Sequence, residues 1–394
     1  MPAPPPPVTP NPTPAAAVAP APPAPAAPTP ARRGTAVVPA AVAPGGELRV
    51  GAKGVALPAR VEQRVGARWK RRGNALTAAR PATAFRITQP TGRPALRVVG
   101  ADGVPTPIVK TRVRPLTLAA VGDINLAPRP LGAVAGGDLG GPWRSVGPVL
   151  RRADLTFGNL ECAVSTGGAP FAKQYRFRGS PAALRAAVDA AGFDVLDLAN
   201  NHSGDYGAGA LLDTVRNVRA AGAEPVGAGS TADAAYRPVV RTALGLRVSF
   251  VAFNEILPPE FRATGSRPGV AWSTPDAVRA AVRRARRQAD VVVAGFHWGV
   301  ELATTPSARQ RALARAALGA GATAVIGAHP HVLQPVIRSG RGVVAYSLGN
   351  FVFPAGSPGT TRTGILELRL AAGRVVGHGL RRATIRGATP VLDG

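Results

Sequence analysis

The chain has 394 residues, and 48 Lys and Arg against 21 Asp and Glu give it a formal net charge of +27. Nearly all of that charge is arginine, spread along the chain without interleaved aromatics or any helix-turn-helix, zinc-finger or RNA-binding signature. A compositional bias toward Arg, Ala, Gly and Pro accounts for it, and nucleic acid is excluded as a partner. A single cysteine, Cys162, excludes an intrachain disulfide and a multi-cysteine zinc site, and no apolar run reaches the roughly 18 residues of a membrane span.

Residues 1–46 are Pro/Ala-rich, with Pro4-Pro5-Pro6-Pro7 and Pro20-Ala21-Pro22-Pro23 as examples, and predict an extended, polyproline-like, disordered linker. The start, Met1-Pro2-Ala3-Pro4-Pro5, has neither the basic end nor the apolar centre of a signal peptide. Residues 47–114 alternate apolar with charged side chains (Leu48-Arg49-Val50, Phe85-Arg86-Ile87, Leu96-Arg97-Val98) between frequent Gly and Pro. That pattern predicts a small antiparallel β-sandwich, with Trp69 in its core. A spacer-like start followed by such a module favours a place at the cell envelope, with the cytoplasm as the alternative.

From Leu116 the pattern becomes strand, loop, helix, and predicts an α/β domain over 115–394. Leu116 to Val121 runs into Gly122-Asp123-Ile124-Asn125, and Asp154 to Phe157 into Gly158-Asn159-Leu160-Glu161. Ser180 and Pro181 open a helix that Gly192 closes. Val195 to Leu198 leads to Ala199-Asn200-Asn201-His202-Ser203-Gly204-Asp205, a loop that reads either as ligand and acid–base pair or as ordinary turn chemistry. Further strands end at Phe253, at His297-Trp298-Gly299, at Gly327-Ala328-His329-Pro330-His331 and at Ser347-Leu348-Gly349-Asn350-Phe351. Cys162 is expected to be a small buried hydrophobe.

Asp123, Glu161, Asn201, His297 and the pair His329/His331 thus fall at five strand ends, and with His202 they include four of the five histidines. Oxygen donors with imidazoles suit Mn, Fe or Zn better than Mg or Ca. Two such cations bridged by one carboxylate would polarise a substrate oxygen and generate hydroxide near neutral pH. Tyr175, Arg176 and Arg178 are expected to form an anion-binding loop near Glu161.

These six ordered motifs, over about residues 115–385, resemble the bacterial CapA family of poly-γ-glutamate capsule synthesis proteins, built on the calcineurin-like metallophosphatase fold. The resemblance implies a four-layer β-sandwich flanked by helices. It places Asp123 and His331 on a first metal, Glu161 as the bridge, and Asn201, His297 and His329 on a second. His202 with Asp205 resembles the family's acid–base pair. Asn125, Asn200, Glu301, Gln334 and Asn350 are expected to support the site or touch substrate. Two departures stand out from the wider metallophosphatase pattern: Asn125 stands where a His is usual, and Glu161 where the bridge is usually Asp.

Three functional classes follow: a metal-dependent hydrolase or transferase on an anionic envelope polymer, a non-catalytic polymer-binding partner of a membrane-bound capsule synthase, and a phosphoesterase on small metabolites.

Overall fold

The computed structural model describes residue 1 and residues 34–128, 137–340 and 342–394. Most of the expected linker therefore lies outside the described residues. Its boundary at 46 is corrected, because strands Thr35–Val37 and Ala41–Val42 pair with Glu47–Lys53 and Arg112–Val113. They do so because Ala36 and Val42 drop apolar side chains into the core of the small module.

That module has a three-stranded sheet (Thr35–Val37, Glu47–Lys53, Ala82–Arg86) and a four-stranded one (Arg68–Leu76, Ala59–Val65, Ala95–Val99, Val109–Lys110). Leu48 and Val50 from the first meet Val61, Leu76, Leu96 and Val98 from the second in one apolar cluster. Trp69 corrects the expectation of a core residue. It is half-buried on the edge strand, with the Arg97 guanidinium 4.3 Å above its ring. The module is fastened to the larger domain by backbone: Ala43 N donates to Leu244 O at 2.8 Å, Glu47 N to Gly245 O at 2.9 Å, and Ala372 N to Pro44 O at 2.7 Å.

The larger domain is two mixed sheets packed face to face. One runs in the order Glu224–Val226, Val195–Asp197, Leu155–Leu160, Leu116–Ile124, Arg362–Ala371, Arg374–Arg386, Thr389–Leu392, with Asn350–Val352 added at the end of Leu116–Ile124. The other runs Val239–Ala243, Leu246–Asn254, Val291–His297, Ala324–Ala328, Gly342–Ala345, Val336–Ser339. Their inner faces meet at Phe157 and Phe250, stacked 5.7 Å apart. The central strands are apolar on both faces because each sheet is also covered outside. Phe250, Ala252, Val291 and Val293 enter the inter-sheet core, while Val251, Phe253, Val292 and Ala294 pack under helices Pro275–Arg286 and Ala308–Ala320. Helices Pro181–Ala191 and Gly207–Ala220 cover the first sheet, completing four layers.

Helix ends follow the chemistry read from the sequence. Ser180 accepts from Ala183 N ahead of Pro181, and Gly192 closes that helix at φ 70°. Ser307 and Gln310 form a reciprocal capping box. Within each sheet the central strands are parallel, so their carboxyl ends, and the polar loops after them, share an edge. Among the described residues no helix is long and apolar enough to cross a membrane.

Candidate metal centre

Asp123 is placed by a close backbone approach. A Cβ on Gly122 would stand 1.9 Å from Gly349 O, so only glycine lets Asp123 N donate to that same oxygen at 3.0 Å. The Asp123 carboxylate is fully buried and accepts from Asn159 Nδ2 at 2.8 Å. His297 is positioned by period-2 alternation. Phe296 and Trp298 pack outward under the helices, stacked 4.3 Å apart, so His297 faces the other sheet. The His-Pro-His turn holds His329 at φ 93° and His331 at φ 60°, left-handed backbone that non-glycine residues rarely occupy and that concentrates at functional sites. Leu302 N secures the turn by donating to Pro330 O at 2.9 Å.

Glu161 is the shared member of two clusters whose donor atoms lie within 4.8 Å of one another: Glu161, His329 and His331, and Asp123, Glu161 and His297. His297 Nε2 is 3.4 Å from Glu161 Oε1, and His331 Nδ1 is 3.2 Å from Asp123 Oδ2. The second contact joins the two residues assigned by resemblance to one metal. The clusters otherwise cut across that assignment, setting Asp123 with His297 and His329 with His331.

Both Glu161 oxygens, His297 Nε2, His329 Nδ1 and Asn201 Oδ1 are buried with no hydrogen-bond partner. An unsatisfied buried polar group costs about 1–3 kcal/mol, so the four such atoms on Glu161, His297 and His329, all members of the two clusters, argue against a packing role. The Glu161 oxygens present lone pairs, each imidazole nitrogen does so in the matching tautomer, and a cation would satisfy them together. Carboxylate, imidazole and amide oxygen form a donor set that fits a divalent transition metal.

The electrostatics agree. Burial, with Asp123 alongside, holds the Glu161 carboxyl well above its usual range. Burial keeps His297 far below the ordinary imidazole value, and burial together with His331 takes His329 down to about 3. Burial is the largest single effect on His331 and acts downward, but the hydrogen bond and charge of Asp123, with Asn350 and Glu301, together outweigh it and the net shift is upward. His297 and His329 are held in the neutral form a metal requires, whereas Glu161 and His331 favour their protons and would release them on binding a cation.

The model of the bacterial capsule synthesis protein family PGA_cap matches residues 117–355 of this chain. The chain belongs to that family. It is 35% identical over 265 residues to the capsule biosynthesis protein CapA of Bacillus anthracis, covering 65% of this chain and 64% of that one. With the PGA biosynthesis protein CapA of Bacillus subtilis it shares 33% identity over 235 residues, 58% of this chain and 60% of that one. The chain thus spans under two thirds of the length of either relative. Among solved structures, the 5'-nucleotidase precursor of Thermus thermophilus matches 70% of this chain and 56% of its own, at 17% identity and a TM-score of 0.42.

In this family member the remaining motif residues divide sharply. Asn200 is fully buried and braces the loops, donating to Asn159 Oδ1 at 3.1 Å and Leu160 O at 2.8 Å. Asn350 orients a ligand, its Oδ1 lying 2.8 Å from His331 Nδ1. His202 Nδ1 lies 2.8 Å from Asp205 Oδ2, its ring stacks 4.2 Å from Phe177, and its Nε2 is 3.9 Å from Glu161 Oε1. Burial pulls the His202 imidazole below its ordinary value, partly countered by Asp205.

Asn125 is not turned to the cluster as a ligand, because its Oδ1 closes a turn by accepting from Ala127 N at 2.9 Å. Gln334 binds Gln310 and the Ala303 carbonyl, each at 2.8 Å, and so supports packing. Arg178 donates to the Gly167 and Gly168 carbonyls at 3.1 Å and lies 3.5 Å over the Tyr206 ring, and Arg176 donates to Phe171 O and Lys173 O. Each guanidinium spends one nitrogen on those carbonyls, and Arg178 Nε is buried without a partner. Glu301 is exposed on the wall of a cavity of about 340 Å³ beside Asn201 and His202, with Tyr175 on the same wall.

Two residues are added by the structure. Asn159 links Asp123, Asn200 and, at 3.3 Å, His297 Nδ1. It sits inside the Asn159-Leu160-Glu161 motif, so its signal was present. Lys173 reaches the His202–Asp205 pair from a loop with no motif of its own.

Proposed function

We propose that this chain is a metal-dependent hydrolase or transferase that acts on an anionic envelope polymer in capsule synthesis, with poly-γ-glutamate as the substrate, alongside a membrane-bound synthase at the cell envelope. The observation that carries the reading is the set of buried unpartnered lone pairs on Glu161, His297, His329 and Asn201, with the His202 imidazole 3.9 Å from Glu161. The names of the relatives, a capsule biosynthesis protein and a PGA biosynthesis protein, supply the polymer. Glu161, common to both clusters, supports two sites for Mn, Fe or Zn; the family resemblance divides the donors as Asp123, Glu161 and His331 for one and Glu161, Asn201, His297 and His329 for the other. When bound, such ions polarise a substrate oxygen and acidify water. The chain's own residues do the rest. Asn350 and Asn159 hold the ligands in place, the fold excludes bulk water from Glu161, and His202 moves a proton at Nε2 while Asp205 steadies Nδ1.

With Asn125 engaged in a turn, the first site has three protein donors and the second has four, so the first is the weaker. Metal content of the full chain by plasma mass spectrometry tests the reading. Manganese, zinc or iron should load to nearly two per chain, or to one where the first site stays empty, and a His329→Ala/His331→Ala variant should lose it. Shortening of poly-γ-glutamate by the loaded protein, abolished in His202→Ala, should accompany it. A folded protein that takes up no metal after reconstitution would sink the proposal and leave a non-catalytic polymer-binding partner in front.

A further inference from the structure

A strap of chain at residues 171–177 wraps the His202–Asp205 pair, and it delivers a lysine to the pair's far side. Phe171 N donates to Asp205 O at 2.8 Å and Phe177 N to Asp205 Oδ2 at 2.6 Å, so both ends of the strap are tied to one residue. Between them, Lys173 Nζ lies 2.5 Å from Asp205 Oδ1, donates to Asn201 O at 2.6 Å, and stands 3.2 Å from His202 Nδ1. Its side chain is 17% exposed and that of Asp205 is not exposed at all. The ammonium lies 5.5 Å from the Phe261 ring centroid, and Phe261 in turn meets Phe171 edge-on at 4.9 Å. Lysine is rarely held this way unless its charge is used.

The donor count decides what the charge does. An ammonium only donates and a carboxylate only accepts. His202 Nδ1 faces both, with Asp205 Oδ2 at 2.8 Å and Lys173 Nζ at 3.2 Å. A bare Nδ1 would set its lone pair against that of Oδ2, whereas a proton on Nδ1 satisfies Oδ2. That second arrangement requires the lysine protons to go elsewhere: Asn201 O accepts one, and Asp205 Oδ1 holds the ammonium as an ion pair without a formed hydrogen bond. Phe177, stacked on the imidazole, blocks its rotation. Without the lysine charge a wholly buried carboxylate has no counter-charge, and the Nδ1–H form loses its preference.

We propose that Lys173 is a positioning residue, which clamps Asp205 and the Asn201 carbonyl and so fixes His202 with the proton on Nδ1 and the Nε2 lone pair facing Glu161. The clamp also pins the backbone of Asn201, so one cation sets the geometry of the proton-moving imidazole and of a metal-facing amide. This gives a purpose only if the functional reading above holds, but the geometry stands without it.

The experiment is long-range 1H–15N NMR of the full chain carrying 15N-histidine, stripped of metal with chelator, with His202 signals assigned by their loss in His202→Gln. Wild type should show the Nδ1–H pattern for His202. Lys173→Met should lose that single-tautomer signature, and Lys173→Arg should keep it. If Lys173→Met does not fold, Lys173→Gln, which keeps an N–H donor but no charge, takes its place. A folded uncharged variant with the wild-type pattern overturns the proposal, as does a wild type with Nε2–H. Loss in Lys173→Arg as well assigns the effect to packing and also overturns it. None of these spectra needs metal or substrate. A protein that binds no metal therefore sinks the functional reading alone, and an unmoved tautomer sinks the lysine clamp alone.

Discussion

Replacing Glu161 by Met should make the metal-free protein more stable, and this opposite-sign result separates a functional carboxylate from a structural one. Both Glu161 oxygens are buried without a partner and the side chain is wholly unexposed. Removing an unsatisfied buried acceptor recovers about 1–3 kcal/mol, and Met fills nearly the same volume without polar atoms to satisfy. The expected gain is roughly 1–3 kcal/mol, or about 2–4 °C in Tm for each kcal/mol in a domain of this size. The pH dependence has a definite sign. A carboxyl whose folded pKa is raised binds its proton more tightly in the native state, so stability falls as pH climbs above the unfolded value of about 4.3. The advantage of Glu161→Met in chelator should therefore widen from acid toward neutral pH. Added Mn2+ should reverse the order, because a ligand at 1,000 times its Kd adds about 4.1 kcal/mol to the wild type alone. Urea unfolding in chelator and in Mn2+ measures both. A metal-free Glu161→Met protein less stable than wild type would show that Glu161 has structural partners and would refute the reasoning.

Gly122→Ala should cost roughly 2–4 kcal/mol, from forced separation of two backbones and loss of a hydrogen bond, because the added methyl would meet Gly349 O and not a movable side chain. Equilibrium unfolding checks it, and metal content should fall with it, since Asp123 and Asn350 flank that contact. The Cys162 thiol, which burial pushes up to about 12, should resist iodoacetamide in the native protein at pH 8 and react only in denaturant, as mass spectrometry of the alkylated chain would read.

The residues that meet in the two clusters were legible as strand-end positions, because one residue's identity and its neighbours' hydropathy fix its place there. His297 between Phe296 and Trp298 is the clearest case: alternation alone puts it on the opposite face from two large aromatics. Helix ends such as Ser180-Pro181 and Gly192 were legible for the same local reason. Asn125, Gln334 and Arg178 show that a polar side chain near a motif has two destinations, the site or a neighbouring backbone group, and that spacing does not choose between them. Here Ala127 N, Ala303 O and Gly167 O take them. Trp69 was misread because alternation does not say whether a strand is central or at an edge.

Lys173 marks the limit of local reading. Its partner Asn201 lies 28 residues away, and the two meet because Phe171 and Phe177 anchor the strap at Asp205 from both sides. Motif spacing encodes the clustered carboxyls and imidazoles, whereas the lysine beside His202 is brought there by loop closure and shows no pattern of its own. Lys173 is nevertheless one of only four lysines in a chain otherwise supplied with arginine. A compact ammonium with freely oriented donors sits between Asp205, Asn201 O and the Phe261 ring, and a guanidinium there would carry the same charge to Asp205. Lys53, Lys70 and Lys110 are exposed on the small module, so it is burial against Asp205, and not rarity, that sets Lys173 apart.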